Sequence, residues 1–213
     1  RLHDLIYVKK IYKKNHKKFF NGNFSKNISK INTITRLLKI LDKKKFLANQ
    51  KFEIKIIKNI PQKAGMGGGS MNAASLLNFF IKKKIIKIKK NEIEEVAKLI
   101  GSDVILGLNQ TNTILYGNNK IKRYRKKQIN LHTLAIKPNF GCSTKYIYSK
   151  VRKFTKPQFN YPRQTMFNKN YLKGLSNDFE KIVFDQYPKL KKIKLYLSSL
   201  PDTIFVRMSG SGS

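Results

Sequence analysis

Between Ser29 and Leu41 the apolar residues Ile31, Ile34, Leu37, Leu38 and Leu41 recur at three- and four-residue spacing, which predicts a helix with one face in a core. From Phe52 to Ile60 the pattern changes to alternation, with Phe52, Ile54 and Ile56 set against Glu53 and Lys55, and predicts a half-buried strand that Pro61 ends. Ala73, Ala74, Leu76, Leu77 and Phe80 then predict a buried helix over 72–81. Upstream, the mixture over 2–18 suits a strand followed by a basic turn. Downstream, Asn91 with Glu94 three residues later reads as a capping box opening a helix that closes near Gly101. Strands are predicted over 111–116, 120–124 and 131–137, the first two joined by the turn Gly117-Asn118-Asn119. Helices follow over 143–151, 177–184 and 188–200, with the proline-rich run 153–163 as loop and 203–207 as a last strand. No internal repeat is present, and the change of character near Pro138 marks the start of a second domain.

Composition adjusts this outline in three places. A chain of 213 residues that is 40% hydrophobic can bury a proper core, and no stretch is long and apolar enough for a membrane span. The single cysteine, Cys142, excludes an internal disulfide or a thiolate zinc cluster and fits a cytoplasmic protein. The net charge of +35 would suit nucleic acid, but the lysines are spread over every segment instead of forming a patch, which reads as compositional drift toward Lys, Asn and Ile. A positive field of that size still attracts phosphorylated substrates. The opening at Arg1 and the close at Ser213, inside a Gly-Ser run, read as a chain cut at both ends.

The strongest chemical signal lies between the predicted strand 52–60 and helix 72–81. Gly65, Gly67, Gly68 and Gly69, followed by Ser70, are poor core residues because each costs backbone entropy. They make sense where a backbone bends tightly and comes close to a ligand. Set before a helix, such a loop aims backbone N–H groups and the positive end of the helix dipole at one point, which is a place for phosphate. It is neither a P-loop nor a dinucleotide loop: no Gly-Lys-Ser/Thr ending is present, and Lys63 precedes the glycines.

The run Pro61-Gln62-Lys63-Ala64-Gly65-Met66-Gly67-Gly68-Gly69-Ser70-Met71-Asn72-Ala73-Ala74 resembles the ATP loop of the GHMP kinases. Other segments repeat the resemblance in order: Arg1-Leu2-His3-Asp4-Leu5, Asn32-Thr33-Ile34, Gly101-Ser102-Asp103-Val104, Lys137-Pro138 with Ser143-Thr144 and Tyr148, Ser176-Asn177-Asp178-Phe179-Glu180, and Met208 to Ser213. Within the family, the triple glycine with Ser-x-Asn-Ala-Ala is most similar to the branch that phosphorylates a cytidylyl sugar alcohol in the non-mevalonate route to isoprenoids.

The resemblance implies an α+β, two-domain kinase. Residues 1–137 would form an ATP-binding domain with a ribosomal-protein-like fold, 138–213 a ferredoxin-like domain, and the site would lie between them. ATP and Mg²⁺ are the implied cofactors, and the implied partner is a small cytidylyl sugar-alcohol substrate bound by a monomer or homodimer. Residues 61–71 and Asn32 would bind ATP, Ser70 also the metal. His3, Asn72, Thr144 and Tyr148 would bind the alcohol, with Tyr148 stacking on its base. Asp103 would align the hydroxyl and accept its proton. Leu2 and Met71 depart from the family's tyrosine and second serine. The lysine that the family pairs with the aspartate falls upstream of Arg1, so none is assigned and the chain alone is expected to be inactive. The alternatives are another small alcohol, of homoserine, mevalonate or sugar type, or a basic nucleic-acid-binding protein.

Overall fold

The computed structural model describes residues 2–62, 64–109, 111–117, 120–124, 131–156 and 158–212. The chain divides into two compact units, 1–62 with 67–110, and 63–66 with 111–213.

In the first unit β3 (Lys51–Ile57) is the central strand of three. β1 (Leu5–Ile11) runs antiparallel to it, with Val8 opposite Ile54, and β2 (Lys17–Asn21) runs parallel, with Phe20 opposite Ile56. The alternation in β3 buries Phe52, Ile54 and Ile56 among the apolar faces of α1 (Thr33–Lys43) and α2 (Gly68–Lys82), where Phe80 meets Phe52 at 5.0 Å between ring centres. α3 (Lys90–Ile100) adds Val96, Ala97 and Ile100, and a 3₁₀ helix, Val104–Leu108, adds Val104 and Ile105.

The second unit holds the hairpin β4 (Asn112–Tyr116) and β5 (Lys120–Tyr124), then α4 (Thr144–Ser149), α5 (Lys169–Gly174), α6 (Phe179–Gln186) and α7 (Pro188–Ser198). Cys142, Ile147, Val183 and Leu190 form its core, flanked by Phe140, Phe179 and Met208. No helix among the described residues is long and apolar enough to cross a membrane.

Several expectations need correction. Residues 131–137 form no strand: Leu134 is 77% exposed, and no neighbouring strand completes a ladder for it. Residues 203–207 form none either, because Arg207 donates from its guanidinium to the carbonyls of Leu172 and Leu175 and holds the segment by a side chain. The N-terminal run contains two strands instead of one. β3 ends at Ile57 and not at Ile60, since the N–H groups of Asn59 and Ile60 turn to the carboxylate of Asp4. α3 is capped two residues earlier than Asn91, at Lys89, with Glu92 accepting from the backbone N–H of Lys89 at 2.8 Å. α2 begins four residues before Asn72, taking Gly68, Gly69 and Ser70 into its first turn. The turn residues Asn118 and Asn119 lie outside the described residues.

Candidate active site

The start of α2 is built from backbone. Its N-cap, Gly67, stands in the left-handed region at φ +62°, and among the described residues no side chain caps the N–H groups of the first turn. A methyl group placed on Gly67 would meet no described residue within 4 Å, so among these residues the space beside the cap is open. Positive φ without steric cost requires glycine here. An uncapped, open helix start aims its first N–H groups and its dipole outward, the arrangement that receives an anionic oxygen.

Neighbouring segments hold this start in place. Asn32 caps α1, accepting from the N–H of Thr35 at 3.0 Å while its amide donates to the carbonyl of Ser29 at 2.8 Å. The next hydroxyl, Thr33, donates to the carbonyl of Gly69 at 2.7 Å and brings the two helix starts together. Gln62 donates to the carbonyls of Phe24 and Lys26, fixing the chain just after Pro61. The Ser70 hydroxyl makes no hydrogen bond among the described residues. Met71, where the family has serine, packs its sulfur toward Gly107 of the 3₁₀ helix. Lys63 lies outside the described residues.

Asp103 is exposed and precedes the 3₁₀ helix, its carboxylate accepting from the Ser102 hydroxyl at 3.0 Å. That helix lies along α2: Asn78 donates to the carbonyl of Leu108 at 3.0 Å, and Gly107 faces Ala74 and Met71. Read backward from Leu108 to Gly107, the contacts step toward the glycine start of α2.

The sequence reading missed Asp4 and Lys58 as site residues. The Asp4 carboxylate accepts from the Lys58 ammonium, from the N–H groups of Asn59 and Ile60 at 2.7 and 2.8 Å, and from the amide of Asn72 at 2.8 Å. Burial pushes its pKa up, but these four donors outweigh burial and hold it below the usual carboxylate range. His3, beside it, is exposed, and its carbonyl accepts from the Asn59 amide at 3.0 Å.

In the second unit the segment 208–212 is held at several points. Asn177 donates to the carbonyls of Met208 and Gly210 at 2.8 and 2.7 Å, and Glu180 accepts from the N–H of Met208 at 2.8 Å. The Ser209 hydroxyl donates to the carbonyl of Gly65 at 2.7 Å, and Ser211 pairs with Thr144 at 2.9 Å. A side chain at Gly65 would collide with the Ser209 carbonyl, so this contact needs glycine. Tyr148 is 59% exposed with its ring 4.8 Å from that of Phe179.

Comparison with known proteins bears on the family and the fold. Residues 32–117 match the GHMP kinases N terminal domain. A Pelagibacter ubique protein named 4-diphosphocytidyl-2-C-methyl-D-erythritol kinase is 64% identical over 212 residues, which cover 100% of this chain and 75% of that protein. A Petrotoga mobilis protein of the same name is 32% identical over 192 residues, covering 85% of this chain and 73% of its own. A crystal structure of 4-(cytidine 5'-diphospho)-2C-methyl-D-erythritol kinase has a TM-score of 0.65 at 21% identity, over 100% of this chain and 75% of that one.

Proposed function

Given that the chain belongs to the 4-diphosphocytidyl-2-C-methyl-D-erythritol kinases of the GHMP family, we propose that it transfers the γ-phosphoryl group of ATP to the 2-hydroxyl of that cytidylyl sugar alcohol. The observation that carries this reading is the open, uncapped start of α2 at Gly67, whose N–H groups are free for phosphate oxygens. Thr33 and Gln62 keep the loop in the shape that presents them.

Asp103 aligns the attacking hydroxyl and accepts its proton; its exposure leaves it accessible to a bound alcohol, and its only side-chain donor among the described residues is Ser102. Asn32 positions the nucleotide from the start of α1. His3, Thr144 and Tyr148 hold the cytidylyl alcohol by the family resemblance, Tyr148 offering a ring face to the base.

A magnesium ion fits the donors present. No group of three or more His, Cys, Asp or Glu side chains gathers among the described residues, as suits a metal bound chiefly through substrate phosphates, and the Ser70 hydroxyl in the first turn of α2 is unengaged by other described residues. Ser70 would hold it, and when bound the ion offsets the triphosphate charge. The reading carries a cytoplasmic setting, supported by the unpaired, buried Cys142.

The test is transfer of labelled γ-phosphate from ATP to 4-diphosphocytidyl-2-C-methyl-D-erythritol by the complete gene product, with Asp103→Asn as control. Transfer that disappears in the control supports the reading. Absence of transfer, with salt-sensitive RNA binding in its place, would replace it.

A further inference from the structure

Asp4 directly precedes β1, yet its carboxylate reaches both ends of the glycine loop. Its side chain is 1% exposed and that of its partner Lys58 is 6% exposed. One oxygen accepts from the N–H groups of Asn59 and Ile60, where the chain leaves β3. The other accepts from Lys58 and from the amide of Asn72, the fifth residue of α2. A methyl group on Gly68 would lie 3.5 Å from the Lys58 nitrogen, so the ammonium stands beside the first residue of that helix.

Burying a carboxylate and an ammonium is costly, and an apolar pair of the same volume often serves stability as well. The ionic arrangement adds fixed geometry. Residues 58–60 on one side and Asn72 on the other share one acceptor, so the span crossed by residues 61–67 is set by the size of a carboxylate.

We propose that Asp4 is a positioning residue for nucleotide binding, holding the two ends of the glycine loop at the separation that triphosphate oxygens need, and that Asn72 acts through Asp4. This rests on the kinase reading above. It also directs the Asn72 donor to Asp4 instead of to the alcohol substrate.

The experiment compares KM for ATP with KM for the cytidylyl alcohol in the complete gene product and two variants. Asn72→Ala leaves the Asp4–Lys58 pair intact and removes only the link to α2. It should raise KM for ATP about fivefold and leave KM for the alcohol within about twofold of wild type. Asp4→Leu combined with Lys58→Met removes both charges together, so neither is left unpaired. It should fold and raise KM for ATP about tenfold, again sparing the alcohol.

A wild-type KM for ATP in either folded variant overturns the proposal. So does a rise in KM for the alcohol alone, which would return Asn72 to the substrate, or an equal rise in both, which would make the network a scaffold only. A wild-type protein that does not use ATP at all sinks the kinase reading itself.

Discussion

The hydroxyl of Thr33 donates to the carbonyl of Gly69 at 2.7 Å, joining the first turn of α1 to the first turn of α2 across 36 residues of sequence. Thr33→Val keeps the shape and removes the donor. A hydrogen bond of this kind contributes about 1 kcal/mol, so KM for ATP should rise about fivefold with little change in thermal stability. Steady-state kinetics at varied ATP check this, and an unchanged KM would mean that the two helix starts hold their places without the bond.

Gly67 combines a left-handed backbone with open space. Gly67→Val forces a β-branched residue into that conformation at a cost of about 1–2 kcal/mol and fills the opening. ATP binding, followed by calorimetry, should weaken by more than the loss of stability accounts for. If binding falls only in proportion to stability, the opening is not where ATP sits.

Asp103→Asn retains the size of the side chain and removes the base. Transfer should fall by about 100- to 10,000-fold, the usual worth of a positioned proton acceptor, while ATP binding stays near wild type. A loss of ATP binding in its place would mark Asp103 as structural.

His16 gives a pH dependence. Its Nδ1 accepts from the N–H of Phe52 at 3.0 Å, and its Nε2 lies 3.2 Å from the Asp42 carboxylate. Burial lowers its pKa from 6.5; Asp42 pulls upward, Lys51 reinforces the lowering, and the net direction is down. The unfolded chain therefore binds the proton more tightly than the fold does. Stability is complete above about pH 6.5 and is lost as pH falls through that value toward the folded pKa. Thermal melts should show the wild type losing stability from about pH 7 to about pH 5, and His16→Gln losing less over the same interval. Parallel profiles would remove His16 from the account.

Asn177 bears on the C-terminal segment. Asn177→Ala strips one donor group from the carbonyls of both Met208 and Gly210 and should cost about 1–3 kcal/mol locally. Hydrogen exchange at 208–212 should speed up while that of α7 stays slow. Uniform acceleration across the second unit would instead point to a role in its whole core.

Much of this architecture was legible from periodicity. The stripes of α1 and α2 and the alternation of β3 mark residues that lie in the core, because burial imposes the pattern directly; Ile31 is the exception, since α1 starts only at Thr33 and leaves it 64% exposed. β4 and β5 were legible as a hairpin, their partner being close in sequence. Residues 131–137 and 203–207 carry strand-like residues, but alternation cannot report whether a partner strand exists. The glycine loop was plain because glycine is costly anywhere else. Asp4 was not, since its partners lie 54 to 68 residues away and no local pattern encodes such a link. The available signal was compositional: with only 11 acidic residues against 46 basic ones, each acid in a motif is a candidate for structural use.

Lys58 is the one basic residue of this chain that is buried among the described residues. Every other described lysine and arginine touches solvent to some degree, so the chain's charge and its phosphate-binding architecture are separable properties. A redesign that replaced dozens of exposed lysines with glutamine or glutamate would alter solubility, electrophoretic mobility and the pull on distant anions, and would leave the glycine loop braced as before. Exchanging the single ammonium at position 58 would barely change the total charge and would disturb the loop at its base.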